Sequence, residues 1–170
     1  MDIINTPWPY FYVDNFLSEQ DFEYHCREAL KLGEPAQEVE RKILDYDPLP
    51  KMQDHLKEFD HREYEELGVF CHYAVTAPNT IHDKHVEAEF KIMSSIVYLS
   101  PETNHGTTLY DNNNKAYEIE WKPNRLFVFC GMNELTWHDY RSTDTRYTLN
   151  HFLVDPTKIL NKEYLGHVIT

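Results

Sequence analysis

The second half of the sequence is a series of short extended segments with no helical pattern between them. The best of these is KIMSSIVYL at residues 91–99, which ends at Ser100-Pro101. Others are predicted at residues 67–76, 80–87, 107–110, 116–121, 125–130, 135–139 and 145–154, with Asn, Gly and Pro between them. Strands that follow one another without helices favour an antiparallel sandwich or jelly roll. The fold class expected is therefore mainly β.

The first part of the chain adds flanking helices to this core. Ser18 is the expected N-cap of a helix, with Asp21 at its third position and Gly33 where the helix would stop. Its buried face is predicted from helical spacing to consist of Phe22, Cys26, Ala29 and Leu30. Further helices are expected at residues 51–59 and 157–164, and short strands at 9–16 and 39–46.

Composition and charge narrow the class of protein. Hydrophobic residues make up 41% of the 170 and aromatic residues 14%, with only 5 Gly, which is typical of an ordered globular chain. We expect a single domain over residues 1–170, with helical support at about 1–66, the β core at about 67–155 and a C-terminal helix at about 157–164. The net charge of -13 argues against bulk nucleic-acid binding and favours a small molecule or a peptide or protein as partner.

Location and redox state are predicted from what the sequence contains. It has no long apolar run typical of a membrane span and no signal-peptide pattern, so a cytoplasmic location is the expectation. Cys26, Cys71 and Cys130 are odd in number and widely spaced, which favours reduced thiols over a disulfide framework.

Two His-x-acid pairs are candidates for a metal site. With 10 His and 29 acidic residues, chance alone gives roughly 1.7 such pairs, so their context must decide. His61 and Glu63 lie in a polar run, and side chains two apart in a helix point to different sides. His85 and Glu87 lie in a predicted strand, where residues two apart share a face and can hold one ion. Asp83 would share that face and is a rival carboxylate.

The segment from about residue 73 to 155 resembles the double-stranded β-helix core of Fe(II)/2-oxoglutarate-dependent dioxygenases, in the branch that includes the prolyl 4-hydroxylases. The resemblance is carried, in order, by His85-Val86-Glu87 with Lys91, by IVYL at 96–99, by RLFVF at 125–129, and by His138 followed by Thr145-Arg146-Tyr147. The small size and the segment YLSPETNHGTTLY are also similar to short oxygenases encoded by bacteriophages, which would place the protein in a host cytoplasm. The resemblance implies a cupin-like jelly roll.

The resemblance also implies a set of site residues. His85, Glu87 and His138 would bind Fe(II), and two imidazoles with one carboxylate suit a ferrous site with an open face. Arg146, helped by Thr148, would hold the distal carboxylate of 2-oxoglutarate through paired hydrogen bonds. Tyr73 and Tyr98 would add hydroxyl groups to the cosubstrate pocket. The family more often has Asp where this chain has Glu87.

The implied reaction consumes 2-oxoglutarate and O2, releases succinate and CO2, and hydroxylates a C–H bond of a peptide or protein side chain or of a small molecule. Two alternatives stay open on the sequence. One is a cupin-like metal-binding protein without 2-oxoglutarate chemistry, and the other is a non-catalytic jelly-roll interaction module. Arg146 distinguishes an oxygenase from both alternatives, because neither alternative has to bind a carboxylate ligand through a buried arginine.

Overall fold

Two antiparallel β-sheets form the body of the computed structural model, which describes residues 2–59, 66–131 and 135–169. The elements are, in chain order, β1 (Tyr10–Val13), α1 (Glu19–Leu30), β2 (Val39–Leu44), a 3₁₀ turn (Met52–His55), α2 (Leu56–Phe59), β3 (Gly68–Thr76), β4 (Ile81–His85), β5 (Lys91–Ser100), β6 (Thr107–Tyr110), β7 (Ala116–Ile119), β8 (Leu126–Cys130), β9 (His138–Arg141), β10 (Arg146–Val154), a second 3₁₀ turn (Pro156–Lys158) and α3 (Lys162–Leu165).

The larger sheet has the strand order β1-β8-β5-β10-β3-β2, and the smaller one has the order β4-β9-β6-β7. The predicted mainly β jelly roll with flanking helices is confirmed. The short strands predicted at 9–16 and 39–46 are present as β1 and β2. Strand β1 pairs with β8 and strand β2 pairs with β3, so both edges of the larger sheet come from the N-terminal part of the chain.

Helix α1 begins and ends where its capping signals predict. The Ser18 hydroxyl accepts a hydrogen bond from the Asp21 amide at 3.2 Å, and Gly33 follows the helix with a φ of +70°. Its buried face differs from the prediction, because Leu30 is 50% exposed. His25 is buried in its place, since positions 22, 25, 26 and 29 form one stripe at helical spacing and position 30 lies beside it.

Two large apolar clusters and a smaller one pack against the larger sheet. One lies between that sheet and the helices and includes Ala29, Tyr73, Val75, Leu149 and Leu153. The other is largely aromatic and joins the two sheets; it includes Trp8, Tyr98, Leu109, Trp121, Phe127 and Phe129. Alternate residues of β8 serve one cluster or the other, as the two-residue period of a strand requires. A third, smaller cluster consists of Phe70, Phe152, Val154 and Ile159.

The remaining predictions hold with shifted bounds. Residues 51–59 form a 3₁₀ turn followed by α2, and the C-terminal helix is a 3₁₀ turn followed by the short α3. The strand predicted at 80–87 ends at His85, and the one predicted at 135–139 runs instead from His138 to Arg141. His61 and Glu63 lie outside the described residues.

None of the three cysteines forms a disulfide, as predicted. Within the described ranges, no helix is long and apolar enough to cross a membrane.

Candidate active site

A cavity of about 370 Å³ opens between the two sheets. Strand β10 lines it with alternate residues, which are Arg146, Thr148, Asn150 and Phe152. The two-residue period of a strand places these four residues on one face. Its other walls include His72, Ala74 and Thr76 of β3, and His82, His85, His138 and Tyr140 of β4 and β9.

Two imidazoles meet on the smaller sheet at one side of this cavity. Strands β4 and β9 pair with His85 opposite His138, and the two ring centroids are 4.4 Å apart. The Nδ1 atom of His85 lies 2.8 Å from the Asp83 carbonyl oxygen, and that of His138 lies 2.9 Å from the Thr136 carbonyl oxygen. A carbonyl only accepts, so Nδ1 of each ring is the donor and Nε2 keeps its lone pair in the neutral ring. This is how metal-binding histidines are oriented.

Burial keeps His138 in the neutral form. Its side chain is 5% exposed, and this burial lowers the pKa of its imidazole to about 4, although the charge of Glu87 acts in the opposite direction. A ring that stays neutral in mild acid is able to bind a cation, because a metal needs the unprotonated nitrogen.

Glu87 lies beside the imidazoles, but it is not part of the strand that was predicted to carry it. Strand β4 ends at His85, so Glu87 is held beyond the strand and not as its next inward-facing residue. Its Oε1 atom is 4.0 Å from His138 Nε2 and accepts a hydrogen bond from the Ser94 hydroxyl at 2.8 Å. Its Oε2 atom accepts one from the Lys91 ammonium at 2.7 Å. Lys91 thus provides the positive charge beside this carboxylate.

The Glu87 carboxylate is charged despite being 7% exposed. Burial alone would raise its pKa, but the Lys91 charge and the hydrogen bonds from Lys91 and Ser94 lower it to about 2. Asp83, the rival carboxylate, is different: its side chain is exposed and does not line the cavity, and only its carbonyl oxygen contacts the site, through His85.

Gly131 leaves space for the chain segment that carries Glu87. This role of Gly131 was not predicted from the sequence. A Cβ atom at this position would lie 2.7 Å from the Lys91 carbonyl oxygen and 3.0 Å from Glu87 Cβ. In the sequence, its position directly after the predicted strand at 125–130 is typical of a site where another backbone approaches closely. Close approach of two backbones therefore helps to fix where the carboxylate lies.

Arg146 is a buried cation in the same cavity. It is 4% exposed, and its guanidinium carbon lies 4.4 Å from the ring centroid of Tyr140, 5.2 Å from that of Trp121 and 5.6 Å from that of Tyr98. Within the described part of the chain it has no carboxylate partner, and its Nε–H makes no hydrogen bond. Burial lowers the pKa of Arg146, because taking the guanidinium out of water disfavours its charged form. Arg141, by contrast, is exposed at the end of β9.

The two tyrosines predicted for the cosubstrate pocket differ in position. Tyr98 lies under the Arg146 guanidinium, and its hydroxyl is 2.9 Å from the Thr107 hydroxyl. Tyr73 points to the opposite face of β3 from His72 and Ala74, and its hydroxyl is 2.6 Å from His25 Nδ1 under helix α1. Tyr73 therefore does not reach the cavity, contrary to the expectation, because its odd position in β3 places it in the helix-covered core.

Other cavity residues were not identified from the sequence. His72 Nε2 lies 3.0 Å from the Asn150 amide nitrogen, and burial lowers the pKa of His72 to about 3, so its ring is neutral. Arg41 of β2 lines the open side and makes no ion pair within the described residues. An isolated Arg in a six-residue strand gave no signal, because nothing in the sequence showed that β2 would pair with β3.

Comparison by sequence finds no matching family model and no matching curated protein. Comparison by structure finds a prolyl-4-hydroxylase from Pseudomonas putida, with a TM-score of 0.68 and 13% identity over 85% of this chain and 91% of that one. A prolyl hydroxylase from Trichoplax adhaerens, solved with a peptide fragment of the hypoxia inducible factor oxygen degradation domain, has a TM-score of 0.66 and 16% identity over 87% and 84%.

A viral collagen prolyl hydroxylase from Paramecium Bursaria Chlorella virus-1, solved as a 2OG complex, has a TM-score of 0.62 and 15% identity over 85% of this chain and 94% of that one. At sequence identities this low, the structural similarity is evidence for a shared fold. The resemblance expected from the sequence is confirmed at that level: the chain has the double-stranded β-helix fold of the prolyl hydroxylases and other 2OG-Fe(II) oxygenases.

Proposed function

We propose that this protein is an Fe(II)- and 2-oxoglutarate-dependent oxygenase that hydroxylates a peptide or protein side chain or a small molecule. The observation that carries the proposal is the buried Arg146, which has no carboxylate partner in the described chain and lines the same cavity as His85, Glu87 and His138. A buried cation without a partner is costly, so a site that keeps one is suited to an anionic ligand.

The donor set of the cavity fits ferrous iron. Two imidazoles present Nε2, and a charged carboxylate lies 4.0 Å from one of them, which is the composition of a three-ligand site with open positions. His85 and His138 are oriented by backbone carbonyls, and Glu87 by Ser94 and Lys91. When bound there, the iron would supply the redox chemistry that activates O2.

The other side of the cavity fits the cosubstrate. Arg146 has an unused Nε–H donor, and Thr148 follows on the same face of β10. A planar guanidinium holds a carboxylate through two parallel hydrogen bonds. The aromatic rings of Tyr98, Trp121 and Tyr140 lie around the guanidinium within cation–π distance and help to bury it. With 2-oxoglutarate bound, the products would be succinate, CO2 and a hydroxylated substrate.

The residues that line the cavity favour an oxygenase over the two alternatives left open by the sequence. A cupin-like metal protein without 2-oxoglutarate, or an interaction module without a metal, has no use for a guanidinium that is 4% exposed and has no carboxylate partner in the described part of the chain. The structural neighbours solved with a peptide and with 2OG make a peptide substrate and this cosubstrate reasonable choices for the first assays.

The test is an anaerobic titration of the metal-free protein with Fe(II) and then 2-oxoglutarate. We expect the metal-to-ligand charge-transfer absorption of a chelated 2-oxo acid, followed by succinate formation when O2 is admitted. The matched control is His138→Ala, which should lose the absorption while keeping its far-ultraviolet circular dichroism. A folded wild-type protein whose Fe(II) binding is lost in His138→Ala, but which does not develop the absorption with 2-oxoglutarate, would support the cupin-like alternative instead.

A further inference from the structure

Strand β10 presents a second set of donor groups on the face opposite the cavity. Asp47, Cys71 and His151 each offer one ligand atom, and these three atoms all lie within 4.8 Å of one another. Among the described residues this is a tighter group than His85, Glu87 and His138. It lies under the N-terminal helices, with Cys71 and His151 completely buried and the Asp47 side chain 19% exposed.

Strand register explains why these groups meet. His151 of β10 is the direct partner of Cys71 of β3 on one side and of Ser95 of β5 on the other. Directly opposed residues project from the same face of a sheet, so the three side chains form one row. Strand β2 ends at Leu44, opposite Cys71, and the chain that follows brings Asp47 over the row.

The row contains buried polar atoms without partners. His151 is 0% exposed, and its Nδ1 atom makes no hydrogen bond within the described residues. Its Nε2 atom lies 3.1 Å from Asp47 Oδ1 and contacts that carboxylate. The Ser95 hydroxyl is also buried, with no partner among the residues that the structure describes. Unpaired polar atoms in a protein core require an explanation, and a bound ion is one of the few available.

We propose that Asp47, Cys71 and His151 form a second metal site, which takes a zinc-like divalent cation. Carboxylate oxygen, thiolate sulfur and imidazole nitrogen are the donor types that Zn²⁺ prefers, and three protein ligands leave one tetrahedral position for a water. The register places the Ser95 hydroxyl on the same row, where it can hydrogen-bond to such a water. One dication, one thiolate and one carboxylate sum to zero charge, which suits a buried site.

Metal binding at this site must displace the proton of the Cys71 thiol, and the test detects the resulting thiolate. Burial and the nearby Asp47 charge raise the pKa of the Cys71 thiol, so the metal-free form is the protonated thiol. A coordinated dication stabilises the thiolate and releases that proton. The partly exposed Asp47 gives the cation a route from solvent.

The experiment is a Co(II) titration of the reduced, metal-free protein in the His85→Ala, His138→Ala background, which removes the cavity site. We expect about one equivalent of Co(II) to bind, with a thiolate-to-cobalt charge-transfer band and the release of a proton. Cys71→Val should abolish the band. Cys26→Val, which removes another partly buried thiol, should leave it intact. If Cys71→Val does not fold, Asp47→Ala at the partly exposed position should weaken binding at least tenfold. Absence of the band in the folded double variant, or its persistence in Cys71→Val, would overturn the proposal.

The thiolate-to-cobalt band also distinguishes a failure of this second metal site from a failure of the proposed oxygenase site. Loss of 2-oxoglutarate binding in the wild type would remove the proposed function and leave the thiolate band unaffected. Loss of the thiolate band would remove the second site and leave the cavity titration unaffected. The two sites lie on opposite faces of β10, so neither result depends on the other.

Discussion

The guanidinium carbon of Arg146 lies 4.4 Å from the ring centroid of Tyr140, at a point where the described chain places no carboxylate. A cation over a ring is attracted to it, but a single contact of this kind gives only about 0.5–2 kcal/mol. That is less than the cost of leaving a buried charge without a partner. The arrangement is thus suited to a ligand that brings its own negative charge.

The first prediction concerns this guanidinium. Arg146→Met should weaken 2-oxoglutarate binding by roughly ten- to a hundredfold or more, because charge-assisted hydrogen bonds contribute on the order of 1.5–3 kcal/mol. Arg141→Met is the matched control and should change the affinity little, since Arg141 is exposed. The measurement is a 2-oxoglutarate titration of each Mn(II)-loaded variant. Equal affinity in wild type and Arg146→Met would remove the main support for an oxygenase.

A second prediction separates the two acidic residues near His85. Glu87→Ala should lower Mn(II) affinity by more than the about 10- to 100-fold typical of losing an outer-shell partner, because it removes a proposed ligand. Asp83→Ala should have a small effect, since the side chain is exposed and the carbonyl oxygen that contacts His85 remains. Isothermal titration calorimetry of both variants gives the comparison. The reverse order of affinities would make Asp83 the ligand.

The third prediction follows from the position of Tyr73. Tyr73→Phe should leave 2-oxoglutarate affinity unchanged, because the hydroxyl points away from the cavity. It should destabilise the fold by about 1 kcal/mol or somewhat more, since it removes a 2.6 Å hydrogen bond and leaves His25 Nδ1 buried without a partner. Denaturant unfolding measures the second effect. A drop in cosubstrate affinity without loss of stability would show that Tyr73 faces the site after all.

The fourth prediction uses an ion pair between Asp14, which follows β1, and Arg125, which precedes β8. Arg125 donates to Asp14 through Nε at 2.6 Å and through Nη2 at 3.2 Å, and these bonds, with one from Lys122, lower the pKa of Asp14 to about 2. Unfolded Asp titrates near 3.9. The stabilisation is therefore complete above about pH 4 and is lost as pH falls toward 2.

Asp14→Asn tests this ion pair. At neutral pH it should cost about 1 kcal/mol or less, because the Asp14 side chain is 33% exposed and solvent screens the pair. The difference from wild type should shrink between about pH 4 and pH 2. Asp45→Asn, at an exposed position without an ion pair in the described residues, is the control. A stability difference that is independent of pH would mean that the carboxylate charge is not what matters.

Local chemistry in the sequence determined several features. The Ser18 cap and Gly33 set the ends of α1, because capping depends on residues within one turn of the helix. The two-residue period of β10 put Arg146, Thr148, Asn150 and Phe152 on one face, and all four line the cavity. Polar turn residues between short apolar runs were enough to predict an antiparallel β fold.

Tertiary structure alone decided which face each strand turns to the cavity and which strands lie side by side. Periodicity groups residues 72 and 74 apart from 73 but does not say which group meets the ligand, so Tyr73 was placed on the wrong side. Glu87 is positioned by Lys91, Ser94 and the space at Gly131, not by the strand that the sequence extended to it. The meeting of Asp47, Cys71 and His151 depends on strand pairing between residues far apart in the chain, which no local pattern records.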